Sequence, residues 1–179
     1  MALLAEQIVE EWLRRDGFFT IRGLKLGIQE IDLLAIKVNQ NKSIEAKHVE
    51  VQVSNKPVTY ISGISKALRE KHGGVGARSA KYRNLDLLKL TVKDWIDKKY
   101  NHPDKVKVRN KLAPEINWTF LFVHGKVHPK KFEELELISD FGIERLDIET
   151  VITQLRSNES KYATSSGSDI IDLMQLIIE

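Results

Sequence analysis

Three charged side chains interrupt two otherwise apolar stretches in the first third of the chain. Asp32 lies within the apolar stretch 31–35, and Glu45 and Lys47 flank Ala46 in the next one. A charge in the middle of a buried strand is costly unless it is paired or binds a metal ion. The types and positions of these residues therefore point to an ion pair or to chemistry, rather than to packing.

The spacing of the three residues predicts how they meet. A turn at Asn39-Gln40 separates the two strands, and a tight turn makes the pair antiparallel, with Asp32 opposite Lys47. Glu45 is then the diagonal neighbour, and it shares a strand face with Lys47 because side chains alternate between faces. We therefore expect two carboxylates and one ammonium group within roughly 5–8 Å of one another.

Such a cluster suits a hard divalent cation. Mg²⁺ binds carboxylate oxygens and keeps several waters, and Mn²⁺ is expected to substitute for it. A bound metal lowers the pKa of a water ligand and stabilises charge on a phosphoryl oxygen. A lysine beside it can orient the attacking water. The alternative is a buried salt-bridge triad of Asp32, Glu45 and Lys47 without a catalytic role.

Hydrophobic periodicity predicts the elements that position these residues. Residues 3–15 carry apolar side chains at helical spacing, and Gly17 ends that helix. The patterns that follow predict strands at 18–26, 27–38, 43–53, 116–123 and 143–146, and helices at 55–72, 82–99, 129–137, 148–156 and 169–178. Polar connections are expected at 100–114 and 157–167. The order predicts an α/β fold around a sheet of mixed strand direction.

Composition limits the classes of protein that fit. A chain of 179 residues with 42% hydrophobic residues is long enough for one domain with a substantial core. The absence of cysteine excludes disulfides, thiolate zinc sites and a cysteine nucleophile. No apolar run reaches the length of a membrane span, and the N-terminus lacks the pattern of a signal peptide. We therefore expect a cytoplasmic protein without membrane contact.

The net charge of +3 conceals a strong asymmetry along the chain. Residues 61–131 contain 17 Lys or Arg against 6 Asp or Glu, whereas 132–179 contain 3 against 11. A basic central segment predicts a surface for a polyanion, and the alternative is a set of solvated helix faces. Contacts to a DNA backbone are expected from Lys66, Arg69, Lys71, Arg78, Lys81 and Arg83.

The pattern Asp32, twelve intervening residues, Glu45-Ala46-Lys47 resembles the D…(D/E)xK signature of the PD-(D/E)xK nuclease superfamily. The first helix is similar to that of archaeal Holliday-junction-resolvase-like members, in which a helical glutamate faces the metal site. Glu6 stands at that position, eleven residues before the Gly-Phe pair. The family core, a helix, three strands, a helix and a strand, matches the order predicted above. No proline precedes Asp32, and 73–115 has no counterpart in the family pattern.

The resemblance implies a restriction-endonuclease-like fold in one domain, 1–179. Its core would be 3–72 and 116–156, with a helical insertion at 73–115 and a C-terminal linker and helix at 157–179. The implied activity is metal-dependent hydrolysis of DNA, with RNA left open as a substrate. A homodimer is expected, because a double-strand cut needs two active sites. The alternative is a non-catalytic nucleic-acid-binding or assembly module of the same fold.

The resemblance also implies a role for each residue of the site. Asp32, Glu45 and the carbonyl of Ala46 would bind the Mg²⁺ ion. Glu6 would support a metal-bound water, and Lys47 would position the attacking nucleophile.

Overall fold

The computed structural model describes residues 2–54, 56–72, 76, 82–128 and 132–157. The elements in chain order are α1 (Ala2–Arg15), β1 (Phe19–Leu26), β2 (Gln29–Val38), β3 (Ile44–Gln52), α2 (Lys66–His72), α3 (Leu85–Lys99), α4 (Pro103–Leu112), β4 (Trp118–His124), α5 (Phe132–Asp140), β5 (Ile143–Asp147) and α6 (Ile148–Ser157). None of the helices described is long and apolar enough to cross a membrane. The helix expected at 169–178 lies outside the described residues.

The strands form one sheet in the order β1-β2-β3-β4-β5. β1, β2 and β3 are an antiparallel meander, whereas β4 runs parallel to β3 and β5 parallel to β4. Parallel neighbours need a long crossover, and the helices α2 to α4 occupy the one between β3 and β4. The α/β class and the mixed sheet expected from the sequence are confirmed.

The two faces of the sheet pack against different helices. On what we call the α1 face, Leu33, Ala35 and Val49 pack against residues of α1 and α6. On the α3 face, Phe122 packs with Trp95 and other residues of α3 and α5. Burial of each large apolar side chain stabilises the fold by about 1.5–3 kcal/mol. Both faces of the central strands are therefore anchored in a core.

The first helix follows directly from its sequence. Ala5, Val9 and Leu13 are spaced four apart and are all buried. Gly17, with a φ of +90°, allows the chain to turn into β1, and the Phe18 amide donates to the carbonyl of Leu13. Helix α1 is thus fixed against the sheet at both ends of its apolar stripe.

The helix expected at 55–72 is much shorter in the structure, since α2 contains only Lys66–His72. The residues before it form other hydrogen bonds instead. The amides of Ile61 and Ser62 donate to the buried carboxylate of Glu134, and Val58 forms an isolated bridge with Val127. Apolar residues at helical spacing therefore cover the core here without a helical backbone.

The connection expected at 100–114 contains a helix, α4, which the sequence analysis did not predict. Pro103 occupies its first turn, and His102 accepts a hydrogen bond from the Asp104 amide as the N-cap. The helix escaped prediction because Lys105 and Arg109 occupy positions that an amphipathic helix normally gives to apolar residues. Both are buried.

Candidate active site at the divergence of β2 and β3

The register of β2 and β3 differs from the predicted one. Leu33 pairs with Val49 and Ala35 pairs with Lys47. The expectation that Asp32 lies opposite Lys47 is therefore wrong. The reason is the loop, which spans 39–43 and is closed by a hydrogen bond from the Asn39 amide to the Ser43 carbonyl. A loop centred further along the chain shifts every pair.

Glu45 and Lys47 lie on the α1 face, away from Asp32. Lys47 Nζ is 3.1 Å from Glu45 Oε1 and 3.5 Å from Glu144 Oε2, and it lies 6.0 Å from the centre of the Phe18 ring. The carbonyl of Ala46 accepts a hydrogen bond from Thr119 Oγ1 at 3.0 Å, within the sheet. The structure therefore does not bring Glu45, Ala46 and Lys47 together with Asp32 as one metal site.

Asp32 instead lies where β2 and β3 separate. Its Oδ2 accepts a hydrogen bond of 2.8 Å from the Val51 amide. The continued register directs its side chain to the same face as Glu50, the next charged residue of β3. Glu50 is completely buried. Two carboxylates from neighbouring strands thus meet here, but the partner of Asp32 is Glu50 and not Glu45.

Two lysines neutralise Glu50. Lys99 Nζ, at the end of α3, donates to Glu50 Oε2 at 2.7 Å. Lys105 Nζ, in the first turn of α4, donates to Glu50 Oε1 at 2.6 Å. Both come from the segment 73–115, which the sequence analysis treated as an insertion. This segment therefore provides the positive charge of the candidate site.

A histidine and an arginine complete the environment of Glu50. Arg109 Nη1 donates to His48 Nδ1 at 2.7 Å. Because Nδ1 accepts, the proton of the neutral ring lies on Nε2, which donates to Glu50 Oε1 at 3.0 Å. Burial lowers the pKa of His48 to about 4, against the opposing effect of Glu50. His48 is therefore neutral at physiological pH and acts as a fixed hydrogen-bond donor.

The two carboxylates have opposite electrostatic states. Burial alone would raise the pKa of Glu50, but the hydrogen bond from His48 and the charges of Lys99 and Lys105 lower it to about 2. Burial, with the negative charge of Glu50, raises the pKa of Asp32 to about 7. Lys99 and the Val51 amide offset that rise only in part. Negative charge is thus fully compensated at Glu50 and under-compensated at Asp32.

Glu6 joins the same end of the sheet from α1. It is buried, and burial followed by the charge of Glu30 raises its pKa, while Arg22 and Lys99 act in the opposite direction. The charge of Glu6 also raises the pKa of Asp32. We call Glu6, Glu30, Asp32 and Glu50 the acidic end. The structure therefore brings together Glu6 and Asp32, two of the four predicted catalytic residues.

A glycine of β1 lies opposite Asp32. Gly23 of β1 faces Asp32, since the neighbouring pairs are Arg22 with Leu33 and Leu24 with Ile31. Gly23 has a φ of +65°, a conformation that other residues rarely adopt. A Cβ at this position would lie 3.7 Å from Glu30 Oε1, so the Glu30 carboxylate borders this part of β1.

The acidic end fits a divalent cation that keeps most of its water ligands. Within the described ranges, no group of three or more Asp, Glu or His side chains is placed so that it could hold a metal ion. Mg²⁺ does not need such a group, because it commonly binds through one or two carboxylates and substrate phosphate. Burial, and then the charge of Glu50, raise the pKa of Asp32, so its ionised form is one that a nearby cation would stabilise. Asp32 and Glu50 are the residues that would hold it.

The six residues expected to contact DNA have different environments. Lys66 and Lys71 are exposed, and Arg69 is half-buried. Arg78 and Lys81 lie outside the described residues. Arg83 is buried, and its Nη1 donates to the Ser62 carbonyl at 2.8 Å. Its guanidinium also lies 3.9 Å from the centre of the Tyr60 ring. Arg83 is a structural residue, and its assignment as a DNA contact is wrong.

Four residues around Glu50, and Glu50 itself, were not predicted as site residues from the sequence. The four are His48, Lys99, Lys105 and Arg109. One signal was present, because His48 and Glu50 alternate with Val49 and Val51 in a strand that is buried on both faces. Two polar residues on one face of such a strand need partners. The identity of the partners on α3 and α4 had no comparable signal.

Comparisons with known proteins do not assign a family. No protein-family model matches the chain, and no curated protein matches it. The crystal structure of AF1548, a protein of unknown function, is similar at 14% identity, covering 90% of this chain and 72% of that one. Its TM-score is 0.45, which is too low to support an argument about fold or function.

Proposed function

We propose that the protein is a divalent-metal-dependent endonuclease that hydrolyses phosphodiester bonds of DNA at the acidic end. One observation carries the proposal. Asp32 and Glu50 converge from adjacent strands, Lys99 Nζ lies 2.7 Å from Glu50 Oε2, and the pKa of Asp32 is raised to about 7. Perturbed carboxylates beside a cationic side chain are typical of catalytic sites. RNA is a less favoured substrate only because the pattern of resemblance concerns DNA enzymes.

Each residue of the acidic end has a distinct role in this proposal. Asp32 and Glu50 would hold Mg²⁺, or Mn²⁺ in its place, and such an ion would activate a water and neutralise charge on the phosphoryl oxygens. Lys99 keeps Glu50 ionised and adds positive charge beside the scissile phosphate. Glu6, with its raised pKa, accepts a proton from the attacking water.

The resemblance to the PD-(D/E)xK superfamily is retained in altered form. Glu50-Val51-Gln52 replaces Glu45-Ala46-Lys47 as the strand motif, so Gln52 stands where the family pattern has lysine. Lys99 of α3 supplies the ammonium group from another element. A restriction-endonuclease-like fold, a homodimer and a cytoplasmic location belong to the same proposal.

A plasmid-cleavage assay tests the proposal. Supercoiled DNA is incubated with Mg²⁺ or Mn²⁺ and with wild type, Asp32→Asn or Glu45→Gln. Loss of a group that acts on the transition state costs about a hundredfold or more, so Asp32→Asn should be slower by that factor. Glu45→Gln is the matched control, because it neutralises a carboxylate that the register places on the other face. Equal rates for wild type and Asp32→Asn would contradict the proposal.

A non-catalytic DNA-binding module is the second candidate, and one observation favours it. Glu50 already has three hydrogen-bond donors, Lys99, Lys105 and His48, without any metal. Such a module would bind DNA with a strong dependence on salt and none on divalent cations. Binding measured with EDTA and with Mg²⁺, alongside the cleavage assay, separates the two candidates.

A further inference from the structure

An apolar groove lies on the α3 face of the sheet, beside its edge strand β1. Phe19 of β1 is 79% exposed, and Leu112 at the end of α4 is 47% exposed. The groove has a volume of about 120 Å³. An apolar cavity of about 150 Å³ holds a benzene molecule, so the groove has room for one large aliphatic side chain. Its main lining residues are Phe19, Ile21, Leu34, Ile36, Leu112 and Trp118.

The exposed apolar surface continues beyond the groove. Val38 is two residues after Ile36 on β2, so it lies on the same face, and it pairs with Ile44 of β3. Both Val38 and Ile44 are exposed. Scattered apolar residues are ordinary on a protein surface, whereas a contiguous apolar surface marks a place that another element or molecule covers. We call the groove together with Val38 and Ile44 the apolar patch.

The C-terminal segment 169–179 lies outside the described residues, and its sequence supplies a matching apolar surface. Seven of its eleven residues are apolar. The polar ones follow one another at intervals of three or four, which places them on a single stripe of a helix. A helix of about ten residues is marginal in water by itself, so this segment is expected to be helical only where its apolar side is covered. The polar stripe consists of Asp169, Asp172, Gln175 and Glu179, and Ile170, Met174 and Ile177 lie opposite it.

The segment can reach the patch of its own chain. α6 ends at Ser157, and Trp12 Nε1 donates to Gln154 Oε1 at 2.8 Å, so the end of α6 lies beside the end of α1. Phe19, the first residue of β1, follows α1 after three residues. The eleven residues 158–168 can span about 36 Å. A path from the α1 face to the α3 face crosses two packing layers, or about 20 Å.

Charge also favours this occupant. In the last two turns of α4 the exposed charged residues are Lys107 and Lys111. The segment 169–179 contains three acidic residues and no basic residue. Opposite charges beside an apolar contact help to fix the orientation in which two surfaces meet.

We propose that residues 169–178 form a helix that covers the apolar patch of the same chain. Ile170, Met174 and Ile177 face the sheet, and one of them fills the groove beside Leu112. The helix is then a neighbour of α4 on the α3 face. This inference is independent of the proposed function, because it assigns no role to the acidic end.

Disulfide trapping in the full-length chain tests the proposal, since the chain has no cysteine of its own. Leu112→Cys is combined with Ile170→Cys or with Ile177→Cys, so that both directions of the helix across the groove are covered. Under mild oxidation, the faster of these two pairs should close an intramolecular disulfide at least about tenfold faster than the controls. One control combines Leu112→Cys with Gln175→Cys on the polar stripe. The other combines the same tail substitutions with Leu90→Cys, since Leu90 of α3 is exposed to a similar degree.

Two results of the trapping experiment would overturn the proposal. Equal rates for the test pairs and the controls would show that the segment has no fixed contact with the groove. A disulfide between two chains would identify a second copy of the protein as the occupant.

A labelling experiment keeps the test independent of the paired variants. The single variants Ile170→Cys, Ile177→Cys and Gln175→Cys are alkylated with iodoacetamide. The first two should react about tenfold more slowly than the third because their side chains are covered, and adding Leu112→Asp should remove the difference. Equal reactivity of all three without Leu112→Asp would contradict the docked helix. Neither experiment involves DNA, so its failure leaves the proposed function standing.

Discussion

Strand β3 carries two pairs of charged or polar residues that face opposite sides of the sheet. Glu45 and Lys47 lie on the α1 face with 37% and 15% of their side chains exposed. His48 and Glu50 lie on the α3 face with 0% and 1% exposed. Their sequence patterns are nearly the same, two polar residues separated by one. Burial and the number of partners distinguish them.

The two pairs differ in how much free energy their burial costs. Glu45 and Lys47 both keep contact with solvent, and an ion pair that does so contributes about 0–1 kcal/mol and needs no further donors. A buried carboxylate costs several kcal/mol unless donors surround it, and Glu50 has Lys99, Lys105 and His48 around it. Glu50 is such a group, and beside it Asp32 is a second carboxylate whose negative charge is only partly offset. These two residues identify that end of the sheet as the candidate site.

The largest effect is expected from the removal of the buried charge. Glu50→Gln leaves Lys105, itself almost completely buried, without its anionic partner. Breaking a buried ion pair from one side costs about 3–5 kcal/mol. Urea denaturation should show a loss of that size, against less than about 0.5 kcal/mol for Glu45→Gln. Similar losses for the two variants would remove the distinction between the faces.

The next effect concerns activity rather than stability. Lys99→Met removes one cation from Glu50 while Lys105 and His48 remain, so the fold should persist. The rate of plasmid cleavage should fall about a hundredfold, as expected when a group that stabilises transition-state charge is removed. Lys93→Met on the same helix is the control, since Lys93 pairs with Asp97 on the surface. A fall shared by both variants would argue against a specific role of Lys99.

Ionisation of Asp32 is expected to lower the free energy of unfolding by about 2 kcal/mol. Its folded pKa of about 7 is raised above 3.8, so its contribution to stability is full below pH 3.8 and is lost as pH rises to 7. In EDTA at pH 8, Asp32→Asn should therefore be more stable than wild type by about 2 kcal/mol, allowing for partial exposure. The difference should disappear near pH 4. If Asp32→Asn is less stable than wild type at pH 8, the ionised Asp32 carboxylate does not destabilise the fold.

The pKa of His48 is shifted in the other direction, and its titration should have a smaller effect on stability. Its folded pKa of about 4 lies below 6.5, so its contribution to stability is present above pH 6.5 and is lost as pH falls to 4. This loss is best measured in Asp32→Asn, in which residue 32 does not titrate. We expect the free energy of unfolding of this variant to fall by about 1–2 kcal/mol between pH 6.5 and pH 4. Adding His48→Gln should flatten the loss, because glutamine does not titrate. An unchanged slope in the double variant would assign the loss to another group.

The smallest effect is expected at Lys47. Its contacts with Glu45 and Glu144 lie at the edge of the α1 face. Lys47→Met should change the free energy of unfolding by less than about 0.5 kcal/mol and leave cleavage within a factor of two of wild type. A large loss of cleavage would return Lys47 to the site and contradict the observed register.

Several elements whose apolar residues recur at a regular spacing were predicted correctly from the sequence. Apolar spacing identified α1 and the strand β4, and Gly17 marked the end of the first helix. It failed at α4, because Lys105 is buried against the Glu50 carboxylate and Arg109 against the His48 ring, and both partners come from strand β3. Periodicity records apolar burial, and a buried cation looks like a solvated one.

The candidate site was predicted in part for a related reason. Asp32 and Glu6 were predicted to share one site, and the structure places them close enough for the charge of Glu6 to raise the pKa of Asp32. The choice of Glu45 over Glu50 depended on the centre of the 39–43 loop, and a shift of the loop changes which residues face Asp32. The register depends on the geometry of the turn. Asn-rich turns of several lengths are equally compatible with this sequence, so the sequence did not determine the register.

Metal binding tests the central claim most directly, because it separates Asp32 from Glu45 without assuming any substrate. Calorimetric titration with Mn²⁺ compares wild type, Asp32→Asn and Glu45→Gln at pH 8. The account predicts equal affinity for wild type and Glu45→Gln, and a loss of at least about tenfold in Asp32→Asn. Loss of binding in Glu45→Gln with binding retained in Asp32→Asn would contradict it, as would a wild type that binds no Mn²⁺.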